Sequence, residues 1–110
     1  MAQLDALIET RVKQAMTVLT RHAQVRAVYV FGSQIEGRAQ PLSDVDIAVF
    51  IENLDEWDFG RLAHASLLVH REVGNDLELH FFSALELLNA DPASFAAYIL
   101  KHGIPISLHN

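Results

Sequence analysis

Two acidic side chains and a glycine-serine pair lie close together in this sequence, in a pattern that suits chemistry on phosphates. Asp44 and Asp46 are separated by one residue, and ten residues separate Ser33 of the Gly32-Ser33 pair from Asp44. On a strand both carboxylates would project from the same face, where their oxygens can hold Mg²⁺. Backbone N–H groups after a glycine turn can bind phosphate, and a serine hydroxyl can add a hydrogen bond. This spacing indicates metal-assisted chemistry on a nucleoside triphosphate.

Each of these signals has an ordinary structural explanation when it is taken alone. A glycine-serine pair often forms a plain turn, and Asp-x-Asp often marks a solvated strand end or a helix cap. Two carboxylates on an otherwise apolar strand are nevertheless costly unless water, a cation or a metal meets them. The helices and strands around the two motifs therefore decide whether the motifs indicate a functional site.

The pattern of apolar residues predicts the elements that position these residues. Apolar side chains recur at three- and four-residue steps over residues 2–22, which predicts a packing helix. Residues 25–31 and 44–51 are rich in β-branched and aromatic side chains, which predicts two strands joined through the Gly32 turn. On the second strand, one face is apolar and the other consists of Asp44, Asp46, Ala48 and Phe50.

The second half of the chain predicts further helices around a third strand. A helix from about Asp58 to His70 is expected, with an inward face formed by Phe59, Leu62, Ala63, Ser66, Leu67 and Val69. A turn at Gly74-Asn75 precedes a strand over residues 76–82, whose alternation places Asp76, Glu78 and His80 on one face. A short helix from Ser83, a helix over 92–102 and an edge strand near the end follow. This order predicts one small α/β domain over residues 1–110, with helices packed on a mixed sheet.

Composition narrows the classes of partner and location. The formal net charge is −6 and the basic residues are scattered, which argues against direct nucleic-acid binding. There is no cysteine, no apolar run long enough for a membrane span and no signal-peptide pattern at the start, so we expect a cytoplasmic protein without membrane contact. A domain of 110 residues buries a modest share of its surface, so a homo- or hetero-oligomer is expected.

Taken together, the motifs resemble a known family. Gly32-Ser33, Gly37-Arg38 and the run from Ser43 to Val49, set on strand-loop-strand, resemble the nucleotidyltransferase superfamily that includes DNA polymerase beta. Within it they look most like the minimal nucleotidyltransferases. The resemblance implies that Gly32 and Ser33 bind the β- and γ-phosphates of ATP, and that Asp44 and Asp46 are Mg²⁺ ligands.

The resemblance also implies a third carboxylate on a later strand, which completes the metal site and helps deprotonate the acceptor. Glu78 and Asp76 are both candidates, and the mid-strand position of Glu78 favours it. Arg38 could meet a phosphate or be a solvated loop charge, and Ser43 could bond a phosphate or the loop backbone. For His80, a satisfied sheet histidine is favoured over a residue that lines the site.

The activity implied by the resemblance is Mg²⁺-dependent transfer of AMP from ATP to a hydroxyl. Stand-alone minimal nucleotidyltransferases resemble antitoxins that pair with a helical HEPN toxin, so the expected acceptor is a tyrosine of such a toxin. Two alternatives stay open at this point. The chain could neutralise a toxin by binding alone, or it could be one subunit of a nucleotidyltransferase that acts on a small molecule such as an aminoglycoside.

Overall fold

A four-stranded sheet forms the centre of the computed structural model, which describes residues 5–32 and 45–108. The described strands are β1 (Val25–Phe31), β2 (Val45–Ile51), β3 (Leu77–Ser83) and β4 (Ile104–Pro105). The described α-helices are α1 (Ala6–Leu19), α2 (Phe59–Glu72), α3 (Glu86–Asn89) and α4 (Phe95–His102). This confirms the predicted class, a small α/β domain with a mixed sheet and packed helices.

The strand order β3-β2-β1-β4 makes β2 a central strand. β1 runs antiparallel to both β2 and β4, whereas β2 and β3 are parallel. The parallel pair needs a crossover, which α2 supplies. The C-terminal end of β1 and the N-terminal ends of β2 and β3 therefore meet at one edge of the sheet. The N–H of Val45 donates to the carbonyl of Asp76 at 2.8 Å, which anchors the start of β2 against β3.

The two faces of the sheet are covered by different helices. α1 and α2 pack on one face, and the main core lies there around Ile47 and Val49. The opposite face carries a smaller cluster in which Phe31, Ala48 and Phe50 pack against α4. The alternation predicted for the second strand is confirmed, because its aliphatic positions face α1 and α2 while Asp46 lies on the α4 face. The α4 face therefore carries the acidic end of β2.

The predicted inward face of α2 is wrong in part. Phe59 is 84% exposed and Leu67 is 52% exposed, whereas the buried positions are Ala65 and Val69. Between positions 62 and 69 this helix carries apolar side chains on almost every side, so the sequence pattern alone does not show which side is buried. The contact with α1 and β3 selects the stripe that contains Ala65 and Val69.

The start of α4 also differs from the prediction. The helix begins at Phe95 rather than at Pro92, and the Ser94 hydroxyl caps it by accepting from the Ala97 N–H at 3.1 Å. Asp91 instead closes a separate turn, in which its carboxylate accepts from the Ala93 N–H at 2.9 Å. Serine is a preferred N-cap, and the local Asp91 turn competes with the helix for the same backbone groups.

Within residues 5–32 and 45–108, no helix combines the length and the hydrophobicity that crossing a bilayer requires.

Candidate active site

One acid from each parallel strand lies at the edge of the sheet where β1 ends. Asp46 of β2 pairs in register with Glu78 of β3 on one side and with Phe31 of β1 on the other. Residues paired directly across neighbouring strands project from the same face. The strand register therefore brings two carboxylates, distant in sequence, side by side on the α4 face.

A histidine completes a group of three potential ligands. One oxygen of Asp46, one oxygen of Glu78 and one ring nitrogen of His80 all lie within 4.8 Å of one another. His80 Nε2 lies 3.2 Å from Asp46 Oδ1, and the two side chains are 30% and 26% exposed. Glu78 is exposed. Asp46 and His80 are thus the more buried members of this group, and Glu78 is the member that solvent reaches.

Gly32 brings the backbone against this group. Its φ of +87° lies where side-chain-bearing residues are rare, and a Cβ built on it would lie 2.5 Å from Asp46 Oδ2. No other residue can therefore hold this backbone position without moving the carboxylate. The structure places the Gly32 backbone beside Asp46, and the predicted binding of phosphate by Gly32 stays a prediction.

The prediction of a satisfied sheet histidine at position 80 agrees with the structure, in which His80 Nε2 lies within hydrogen-bond distance of Asp46 Oδ1. The structure adds that this histidine belongs to the acid group and that its ring contacts the Phe31 ring, with 5.1 Å between ring centroids. The opposite residue on β2 is Ala48. The available signal was the two-residue step from Glu78, which puts both side chains on one face.

Asp76, the alternative third acid, does not face this group. Its carboxylate accepts two hydrogen bonds from the Arg11 guanidinium, at 2.5 and 2.6 Å, and Arg11 also donates to the Val73 carbonyl at 3.2 Å. Because Arg11 belongs to α1, this contact lies toward the other face of the sheet. The predicted common face for Asp76 and Glu78 is therefore wrong, since Asp76 precedes β3 and turns toward α1. The role of Glu78 as third acid stays a prediction.

The Arg11–Asp76 pair leads to a prediction about stability. Replacing Asp76 by asparagine removes the charge but keeps the shape, so it should lower the free energy of unfolding by about 0.5–1 kcal/mol, as partly exposed ion pairs do. Glu78→Gln, which breaks no ion pair among residues 5–32 and 45–108, should leave that free energy unchanged. Urea denaturation of both variants measures the difference. Equal stability of the two variants would show that the pair does not hold α1 to β3.

Several predicted site residues lie outside the described part of the chain. These are Ser33, Arg38, Ser43 and Asp44. Their predicted roles, phosphate binding for the first three and metal ligation for Asp44, therefore stay predictions. Of the predicted site residues that the structure describes, Gly32, Asp46 and Glu78 lie together.

The described donors fit a divalent cation. Ligand atoms that share one ion lie at most about 4–5 Å apart, which is twice the metal–oxygen distance. The three donor atoms lie within 4.8 Å of one another. For Mg²⁺ the limit is about 4.2 Å, so side-chain shifts of about half an ångström would bring them into its range. When bound there, Mg²⁺ would polarise phosphoryl oxygens and offset the charge that develops on them. Asp46 and Glu78 are the carboxylates available to hold it.

Comparison with known proteins agrees with the fold. The family model described as "Polymerase beta, Nucleotidyltransferase" matches residues 13–110. The chain therefore belongs to the polymerase beta nucleotidyltransferase family. No curated protein sequence matches it. Among solved structures, a candidate nucleotidyltransferase from Sulfolobus solfataricus is similar with a TM-score of 0.56 and 20% identity, over 72% of this chain and 69% of that one. At that identity the likeness supports the fold alone.

Proposed function

We propose that this domain transfers AMP from ATP to a hydroxyl group in the presence of Mg²⁺, and that the acceptor is a tyrosine of a HEPN-type toxin. The observation that carries the transfer activity is the pairing of Asp46 with Glu78 across the parallel strands, beside the Gly32 turn. Membership of the nucleotidyltransferase family supports the reaction class. The toxin as acceptor rests on the resemblance to minimal nucleotidyltransferase antitoxins.

The proposed reaction is a displacement at the α-phosphorus of ATP. The acceptor oxygen forms a bond to that phosphorus, the bond from phosphorus to the bridging oxygen breaks, and pyrophosphate leaves. The hydroxyl proton passes to a carboxylate, a role that the exposed position of Glu78 suits. Asp46 would hold the cation, which would neutralise charge on the phosphates, and the backbone after Gly32 would bind the leaving phosphates. Catalysis in this scheme is positioning and charge neutralisation.

A surface beside the acid group supports a protein as the acceptor. Phe31, which contacts His80, also contacts Phe95 of α4 with 5.4 Å between ring centroids. Phe95 and Tyr98 are 52% and 46% exposed. Accessible aromatic side chains are enriched where proteins bind other proteins. The net charge of −6 would also favour a basic partner, as expected of an enzyme that cleaves RNA.

A labelling experiment tests the proposal. The chain is incubated with Mg²⁺, the protein encoded by the adjacent gene and ATP labelled at the α-phosphate. We expect the label on the partner, located at a tyrosine by mass spectrometry as an AMP adduct. A parallel reaction with ATP labelled at the γ-phosphate should leave the partner unlabelled, because pyrophosphate carries that label away.

The other outcomes identify the alternatives. Tight binding to the partner without any label would contradict AMP transfer and would show that the chain neutralises the toxin by binding alone. Label that passes to an aminoglycoside but not to protein would replace it with a small-molecule acceptor. A partner tyrosine changed to phenylalanine should remove the label without weakening binding.

A further inference from the structure

We propose that His80 is a direct ligand of the catalytic cation and that it makes this site prefer a transition-metal ion such as Mn²⁺ over Mg²⁺. The inference rests on the proposed function for its catalytic meaning, but it concerns metal binding by the chain alone. It adds a nitrogen donor to a site for which the sequence pattern predicted only oxygens.

The first argument is geometric. Two ligands at right angles on an ion with bond lengths of about 2.1 Å are separated by about 3.0 Å. His80 Nε2 and Asp46 Oδ1 are 3.2 Å apart. Without metal, this is a hydrogen bond in which Nε2–H donates to the carboxylate. A cation bound to both atoms would replace this proton, and the separation of Nε2 and Oδ1 would change by only about 0.2 Å while the imidazole turns toward the ion.

The second argument is that the imidazole is held in this position. The edge contact with Phe31, which is 6% exposed, supports one side of the ring. The backbone pairing of His80 with Ala48 places the His80 Cα two residues along β3 from Glu78, which pairs with Asp46. A ligand whose rotamer is held in this way loses little side-chain entropy when it binds.

The third argument concerns the choice of ion. Carboxylates suit Mg²⁺, Ca²⁺ and Mn²⁺, whereas imidazole favours transition-metal ions. For a given set of nitrogen and oxygen donors, affinity rises from Mn²⁺ toward Cu²⁺ along the first-row series. A group of two carboxylates and one imidazole should therefore bind Mn²⁺ more tightly than Mg²⁺, and the difference should depend on His80.

Pulsed electron paramagnetic resonance on the Mn²⁺-loaded, tag-free chain tests this directly. We expect ¹⁴N modulation from a bound imidazole in the unmodified protein, and a changed modulation when its histidines are labelled with ¹⁵N. His80→Gln should abolish the modulation. His64→Gln is the matched control, because His64 is exposed on α2 and should have no effect.

Titration calorimetry measures the preference of the site for Mn²⁺ over Mg²⁺. His80→Gln should weaken Mn²⁺ binding by at least about tenfold, a loss typical even of residues that only orient a ligand. Mg²⁺ binding should change much less. Equal losses for both ions, with no ¹⁴N modulation in the unmodified protein, would show that His80 only orients Asp46 and would overturn the inference.

The outcomes for the two proposals are separable because these measurements contain neither ATP nor acceptor. A ¹⁴N signal together with failure of the labelling experiment would support His80 as a ligand and refute the transfer activity. Transfer without the ¹⁴N signal would refute only the ligand.

Discussion

Replacing Asp46 by asparagine should lower the rate of AMP transfer by about 10²–10³-fold while leaving the fold intact. A bound cation contributes several kcal/mol of charge stabilisation in the transition state, and each 1.36 kcal/mol corresponds to about a tenfold change in rate. Asparagine keeps the shape of Asp46 and an oxygen that can still accept from His80, so the packing at this strand end should persist. Single-turnover transfer with labelled ATP measures the rate, and thermal unfolding checks the fold.

The matched control for this prediction is Asp55→Asn. Asp55 is an exposed acid in the short 3₁₀ turn Leu54–Glu56, which follows β2 at the opposite end of the strand. The same chemical change there should leave transfer unaltered. Removal of a metal-binding carboxylate should lower the transfer rate by more than about tenfold. If Asp46→Asn lowered the rate by less than about tenfold, Asp46 would not hold the catalytic cation.

Gly32→Ala should damage both stability and activity, and this is the second large effect that we expect. A residue with a Cβ is strained at φ +87°, and the added methyl group would lie 2.5 Å from Asp46 Oδ2. Backbone strain of this kind costs about 1–3 kcal/mol. Relief of the contact requires that the Asp46 carboxylate move, so transfer should fall even at temperatures where the variant stays folded. Urea denaturation and the transfer assay on the same sample measure the two effects.

Gly60→Ala provides an unusually close comparison. Gly60 lies in the first turn of α2, where an added Cβ would meet only Asp58 Oδ1 at an ordinary 3.5 Å. Alanine should stabilise that helix by about 0.5–1 kcal/mol, because glycine loses more backbone entropy when it becomes helical. Destabilisation by Gly32→Ala together with stabilisation by Gly60→Ala would assign the effect to the site. Equal effects would contradict the role of Gly32.

The sequence predicted the strands, the turns and the end of α4 well, because each of these depends mainly on residues that are neighbours in the chain. The strands over residues 25–31 and 44–51 are confirmed as β1 and β2 in their described parts, since both segments are rich in β-branched and aromatic residues. The turn at Gly74-Asn75 and the end of α4 before Gly103 follow from the same kind of signal. The inward face of α2 could not be predicted, because its apolar residues leave several faces equally suitable and the contact with α1 and β3 selects one.

The sequence by itself determined that a glycine turn and an acid-bearing strand would adjoin, because both lie within one strand-loop-strand unit. It also determined the family resemblance, which the family match over residues 13–110 confirms at the level of the nucleotidyltransferase domain. Only the tertiary structure decided which later acid joins Asp46. The parallel register places Glu78 directly opposite, while Arg11 draws Asp76 toward the other face of the sheet. It also brought His80 against Asp46, since pairing between strands far apart in sequence sets that contact and no local pattern encodes it.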